Sequence, residues 1–194
     1  MSNSFTAFDW WNQLETQWLQ AYGTSILKHD HEPTAAELKE LYNSQVIRLA
    51  GPSAPFPNCP IELTNLSGIA GLKNLACIII THHKIETVEI LSKLPGIKSL
   101  FLFNNSITSL NGIESIVGLE QLYVQCNQIN SIKPIEHLLQ LKEFYIHDNC
   151  IDSLEGLTES HSDQLTRFVC RPNNLLKQKE IIRAEQELGI ICRQ

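Results

Sequence analysis

With 194 residues, 43% of them apolar, the chain is long enough for one good core and for a single domain. Its formal charge of −6 argues against a general nucleic-acid or anionic-membrane binder, since either favours clustered Lys and Arg. Residues 1–18 lack the basic start and apolar run of a secretory signal, and the longest apolar runs fall far short of the roughly 20 residues of a membrane span. The expected address is therefore the cytoplasm, with no membrane partner.

Residues 1–49 are not repetitive. Phe8, Trp11, Leu14, Trp18 and Tyr22 recur every three or four positions and predict one face of a helix, capped by Asp9 and stopped by Gly23. Trp10 lies off that face and is the candidate for a second role. A further helix is predicted from Thr34, where Glu37 completes a capping box and Leu38 and Leu41 turn inward. Residues 46–49 follow as a first, imperfect strand. Four prolines in residues 51–60 forbid a helix there. Residues 50–62 are read as a loop inserted in the first repeat rather than an interdomain linker, because Leu63, Leu66, Ile69 and Leu72 resume the apolar pattern at once.

From here one pattern recurs: apolar-x-x-apolar-x-apolar-x-x-Asn-x-apolar. It fits Leu75, Ile78, Ile80, His83, Ile85, and then Ile97, Leu100, Leu102, Asn105, Ile107. It fits again at Leu119, Leu122, Val124, Asn127, Ile129 and at Leu141, Phe144, Ile146, Asn149, Ile151. The last copy is Leu165, Phe168, Cys170, Asn173, Leu175. Successive copies start 22, 22, 22 and 24 residues apart. A fixed period of this size marks a solenoid, whose units bury their apolar faces only against neighbours. Apolar landmarks spaced by three after each strand, such as Val88, Leu91 and Leu94, predict short 3₁₀ or helical turns on the outer face. Residues 176–194 return to helical spacing around Ile181 and Leu188, with Gly189 as the stop, and complete the domain as a C-terminal cap.

The register Leu-x-x-Leu-x-Leu-x-x-Asn-x-Ile over residues 63–175 resembles the leucine-rich repeat, in the 22-residue class of internalins and of the regulatory subunit of type-1 protein phosphatase. The resemblance implies an α/β solenoid: a right-handed arc with a parallel β-sheet on its concave side and helical caps. It also makes Asn105, Asn127, Asn149 and Asn173 an internal hydrogen-bonding ladder, with His83 standing at the first rung. The physics agrees, since an amide both donates and accepts where backbone groups leave the sheet.

Alternation along each strand assigns function to the opposite side chains. If Ile78, Leu100, Leu122 and Phe144 point inward, the central exposed column reads Arg48, Ile79, Phe101, Tyr123, Tyr145, Val169. One flank carries Cys77, Ser99, Gln121, Glu143, Arg167, and the other Thr81, Phe103, Gln125, His147, Arg171. Were each of Phe101, Phe103, Tyr123 and Tyr145 about half exposed, the four would approach the upper range of monomer patches, roughly 300–600 Å². The expected function is a non-enzymatic scaffold binding a protein or peptide through Ile79, Phe101, Phe103, Tyr123 and Tyr145. Glu143, His147, Arg167 and Arg171 would set orientation. Cross-strand stacking that merely stabilises the sheet is the competing account. Homo-oligomerisation, through the same face or the Ile190-Ile191 end, is a second functional reading. A small-molecule or hydrolytic site around His147, Asp148 and Tyr123 is a third, and nucleic acid ranks last.

No cofactor is expected, since no phosphate-cradling glycine loop or catalytic triad order stands out. The six cysteines include no Cys-x-x-Cys pair, so reduced structural thiols are expected rather than a zinc site or disulfide framework. The segment His29-Asp30-His31-Glu32 is read as a surface loop rather than a metal site.

Overall fold

The computed structural model describes residues 6–194. Its centre is a parallel sheet of strands β1 (Val46–Ala50), β2 (Cys77–Thr81), β3 (Ser99–Phe101), β4 (Gln121–Tyr123), β5 (Glu143–Tyr145), β6 (Arg167–Val169) and β7 (Cys192–Arg193), arranged in chain order. The repeat sets the register: Ile78 faces Leu100, Leu100 faces Leu122, Leu122 faces Phe144 and Phe144 faces Phe168. These inward residues are buried, as are Leu75, Ile97, Leu119 and Leu141 at the head of each copy. Stacking thus converts a stripe that no single unit can cover into one core running from Trp10 to Cys192. The returns contain the predicted short turns, 3₁₀ at Ser67–Ile69, Glu89–Lys93, Lys133–Ile135 and Glu159–His161. No helix among the described residues is long and apolar enough to cross a membrane. Residues 1–5, the start of the segment weighed above as a signal, lie outside the description.

The ladder stands in the core turns. Asn127 accepts the Ile107 N–H through Oδ1 at 3.0 Å and donates through Nδ2 to the carbonyls of Leu102 and Val124 at 3.1 and 3.0 Å. Asn105 and Asn149 repeat the arrangement one unit away. After the longer step Asn173 repeats only the donor half, to the Ile146 and Cys170 carbonyls, and accepts the N–H of Asn149 itself. His83 reproduces the longer-range part of it. Its Nδ1 accepts the Leu63 N–H at 3.2 Å and its Nε2 lies 3.3 Å from the Leu49 carbonyl, which requires the neutral ring with the proton on Nε2. Burial accordingly holds its pKa below the usual histidine value, partly opposed by the Leu49 hydrogen bond.

The N-terminal cap departs from the single expected helix. Two helices, α1 (Ala7–Asn12) and α2 (Thr16–Tyr22), are broken at residues 13–15. The break turns Trp10 inward, to 2% exposure, and Phe8 of the predicted face outward, to 56%, while Trp18 is buried and Trp11 packs on the core as expected. Asp9 sits at the third helical position of a capping box whose cap is Thr6, and Gly23 continues into a π-helical turn to Leu27 instead of stopping the helix. Helix α3 (Ala35–Tyr42) begins as expected, with the Thr34–Glu37 box. Trp10, Trp18, Tyr22 and Tyr42 form a cluster of mutually tilted rings, with the centroids of contacting pairs 5.3–5.7 Å apart. This cluster closes the first repeat: Tyr22 donates to the Gly68 carbonyl, and a Cβ on Gly68 would lie 1.9 Å from the Trp18 ring.

The proline-rich loop folds back on the sheet. Asn58 accepts the Ala50 N–H and donates to the Arg48 carbonyl, satisfying edge groups of β1 that have no neighbouring strand. At the other end, α4 (Gln178–Ile182) runs into a π-turn and ends at Gly189, whose φ is +71°. Two readings need correction here. Leu175 is 59% exposed, and Leu176 packs on the core in its place. Residues 192–193, which the sequence reading left after the helix, add β7, so Ile190 is buried and only Ile191 projects, at 66% exposure.

Candidate binding face

The sheet presents one face to the core and the other to solvent. On the open face the central column stacks as cross-strand register requires. The Phe101 and Tyr123 rings lie 4.8 Å apart at 37°, and Tyr123 and Tyr145 are stacked at 4.2 Å and 16°. Such contacts add about 0.5–1.5 kcal/mol each beyond burial. Stacking also corrects the assumption of half-exposed rings. Phe101, Phe103, Tyr123, Tyr145 and Ile79 are all partly buried, so the apolar patch is smaller than the sequence suggested. The stack holds the rings of this open face in fixed positions.

A polar network holds the stack from its side. Ser99 donates to Gln121 at 2.8 Å, Gln121 donates to Glu143 at 3.3 Å, and the Tyr123 hydroxyl donates to the same Glu143 carboxylate. Burial, with the Glu143 charge added, pushes the Tyr123 pKa well above the tyrosine range, so the phenol stays protonated as a donor. Arg167 reaches the Tyr145 hydroxyl at 3.3 Å. The opposite flank is less connected. Phe103 meets His82 edge-on at 5.5 Å, and His147 Nδ1 lies 2.7 Å from the Asp148 carboxylate.

The predicted residues therefore fall into two groups, with Phe103 apart from both, against His82. Phe101, Tyr123, Tyr145, Glu143 and Arg167 form one connected surface, with Ile79 at its β2 end. His147 and Arg171 lie beyond the carboxyl ends of β5 and β6. There Tyr145, His147, Arg167, Arg171 and Arg193 line a groove of about 990 Å³. Tyr123 does not join His147 and Asp148, because its hydroxyl points to Glu143 at the start of β5. Two column members are covered. Val169, flanked in register by Tyr145 and Arg193, is 7% exposed, and Thr81 is 3% exposed beneath the turn where Gly51 bonds back to it. Gly51 approaches so closely that a Cβ there would lie 1.8 Å from the His82 carbonyl oxygen.

Sequence reasoning missed Arg193 because β7 is too short for period-two alternation to mark it. It also missed a second column. The residue before each of the first four ladder positions, His82, Asn104, Cys126 and Asp148, has φ between +53° and +59°. Asn and Asp tolerate this left-handed conformation; His and Cys adopt it at a cost of roughly 1–2 kcal/mol. The signal was present as a 22-residue spacing one position from the ladder. In the other suspected cluster, His29 and His31 stack at 3.6 Å and His29 pairs with Glu37 at 3.2 Å. All six cysteines are free, with Cys59, Cys170 and Cys192 buried.

Comparison with known proteins places this geometry. Residues 95–137 match the family model for leucine-rich repeats (2 copies). No curated protein sequence matches the chain. Among solved structures, a leucine-rich repeat protein of Leptospira interrogans is similar with a TM-score of 0.62 and 21% identity, covering 86% of this chain and 41% of its own. An internalin of Listeria monocytogenes has a TM-score of 0.58 and 21% identity, covering 69% of this chain and 38% of its own. The chain thus spans about two-fifths of the length of either relative, and at this identity the likeness concerns the fold.

Proposed function

We propose, from the premise that this chain is a leucine-rich repeat protein, that it is a non-enzymatic scaffold whose open sheet face binds a protein or peptide. The observation that carries the reading is the stacked column Phe101–Tyr123–Tyr145, flanked by Glu143 and Arg167. Rigid, partly exposed aromatics framed by opposite charges match the anatomy of protein interfaces, where tyrosine is a frequent anchor. Hydroxyls already fixed by Glu143 and Arg167 lose little further freedom on binding. Capture from source-cell lysate tests this with wild type beside a Phe101→Ser, Tyr123→Ser, Tyr145→Ser variant, both confirmed folded by circular dichroism. A partner retained by wild type alone supports the reading. Identical captures contradict it.

A second reading has its own observation. Strand β7 is last in the sheet order, and Leu175, Ile182 and Ile191 of the C-terminal segment are exposed at 59%, 44% and 66%. Such an end suits self-association. A concentration-dependent sedimentation coefficient abolished by Ile191→Glu, but not by Phe101→Glu, would assign oligomerisation to this end rather than to the face.

A further inference from the structure

We propose that Cys126, His147 and Asp148 form a site for one borderline-soft divalent cation, such as zinc, beside the sheet face. The three residues belong to two successive repeats, and the solenoid step brings them together. A ligand atom from each lies within 4.8 Å of the other two, the one such group of three among the described residues. The cluster is linked by a 2.7 Å contact between His147 Nδ1 and Asp148 Oδ2 and a 4.0 Å contact between Cys126 Sγ and the same oxygen.

The geometry is close to what a tetrahedral ion needs. Bonds of about 2.3 Å to sulfur and 2.1 Å to oxygen place those atoms about 3.6 Å apart; nitrogen and oxygen ligands lie about 3.4 Å apart. The sulfur–oxygen pair must therefore close, and the nitrogen–oxygen pair open, each by under 1 Å. His147 and Cys126 are partly exposed and Asp148 is exposed, so small side-chain rotations suffice. The donor set of thiolate, imidazole and carboxylate suits zinc, cobalt or nickel better than calcium or magnesium. Three protein ligands leave a fourth position open, on the side where His147 and Asp148 border the 990 Å³ groove. Binding would release the Cys126 thiol proton to solvent.

Backbone geometry adds to the case. Cys126 and Asp148 hold the same turn position in consecutive repeats, at φ +56° and +54°. Asn104 occupies that position one repeat earlier, so an amide would serve the turn alone, and the thiol is not what the backbone requires. Linear spacing concealed the set, since residues 21 and 22 apart fit no short metal motif; only stacked repeats make them neighbours.

The test uses reduced protein titrated with cobalt(II) alone and then with zinc. The expected result is one equivalent bound, with a sulfur-to-cobalt charge-transfer band in the near ultraviolet that zinc displaces. Cys126→Asn, which keeps a residue at home in the turn, should abolish that band. His147→Ala and Asp148→Asn should each weaken zinc by at least about tenfold. Cys150→Ser, at the exposed cysteine two residues beyond Asp148, should change neither. Absence of the band in wild type, its survival in Cys126→Asn, its loss in Cys150→Ser, or unchanged zinc affinity in both His147→Ala and Asp148→Asn would each overturn the site. Because only metal is added, the outcome is independent of the partner-binding reading.

Discussion

Replacing Asn127 by Ala isolates the ladder's contribution. Asn127 is 8% exposed and its side chain serves four backbone groups, the most distant being the Gln125 carbonyl at 3.3 Å, which also keeps the Asn104 N–H at 3.1 Å. They do not suffer equally. The Leu102 carbonyl keeps the Asn105 amide at 2.9 Å, and the Val124 carbonyl keeps that of Asn149 at 2.9 Å, so each loses one of two donors. The Ile107 N–H loses its acceptor outright. An orphaned buried donor costs about 1–3 kcal/mol and each weakened acceptor somewhat less, giving a destabilisation of about 2–4 kcal/mol. For a chain of this size that lowers the melting temperature by roughly 4–16 °C. Asn130→Ala, three residues on and exposed, should stay within about 0.5 kcal/mol. Calorimetry of both variants, with circular dichroism to confirm folding, is the assay. A shift for Asn127→Ala no larger than for Asn130→Ala would refute the ladder's energetic role.

Histidine burial predicts a pH dependence. Both His83 and His161 accept a backbone N–H at Nδ1, and burial lowers both pKa values. The unfolded chain then binds more protons, so stability is full above the ordinary histidine value of about 6.5 and falls as pH drops from there toward the folded values. His83→Asn should remove its share of that slope; urea denaturation at several pH values showing an unchanged slope would contradict the assignment. Gly68→Ala should destabilise by about 1–3 kcal/mol, because its Cβ meets the Trp18 ring rather than a flexible chain end; an unchanged melting temperature would show that the cap packs differently. Tyr123→Phe keeps the stack and loses the Glu143 bond, whereas Tyr123→Ala loses both; near-equal melting temperatures would deny the stack any stabilising role.

The repeats were legible because a 22-residue period expresses inward and outward faces directly, down to strand register. The histidine rung was legible too, since an imidazole offers one donor and one acceptor. What failed was local. The helix break at residues 13–15 hides in a stretch with no proline or glycine, where an aromatic stripe reads as continuous. Trp10 was misassigned because packing onto Tyr22 and Tyr42 outweighed helical spacing. On the candidate face, alternation located the aromatics correctly but gave no account of how far they would bury one another. Contacts between repeats, such as Cys126 with Asp148, depend on the solenoid step and become visible only when columns are read across copies.

The central claim is that the sheet face, and not the returns, meets the partner. A photo-crosslinking amino acid placed at position 101, on the stacked column, and separately at position 117, in the return between β3 and β4 where Val117 is 60% exposed, tests it in source-cell lysate. The account predicts a discrete covalent adduct to another protein from position 101 and none from position 117. An adduct from 117 alone, or from 101 only to a second copy of the chain, would contradict it.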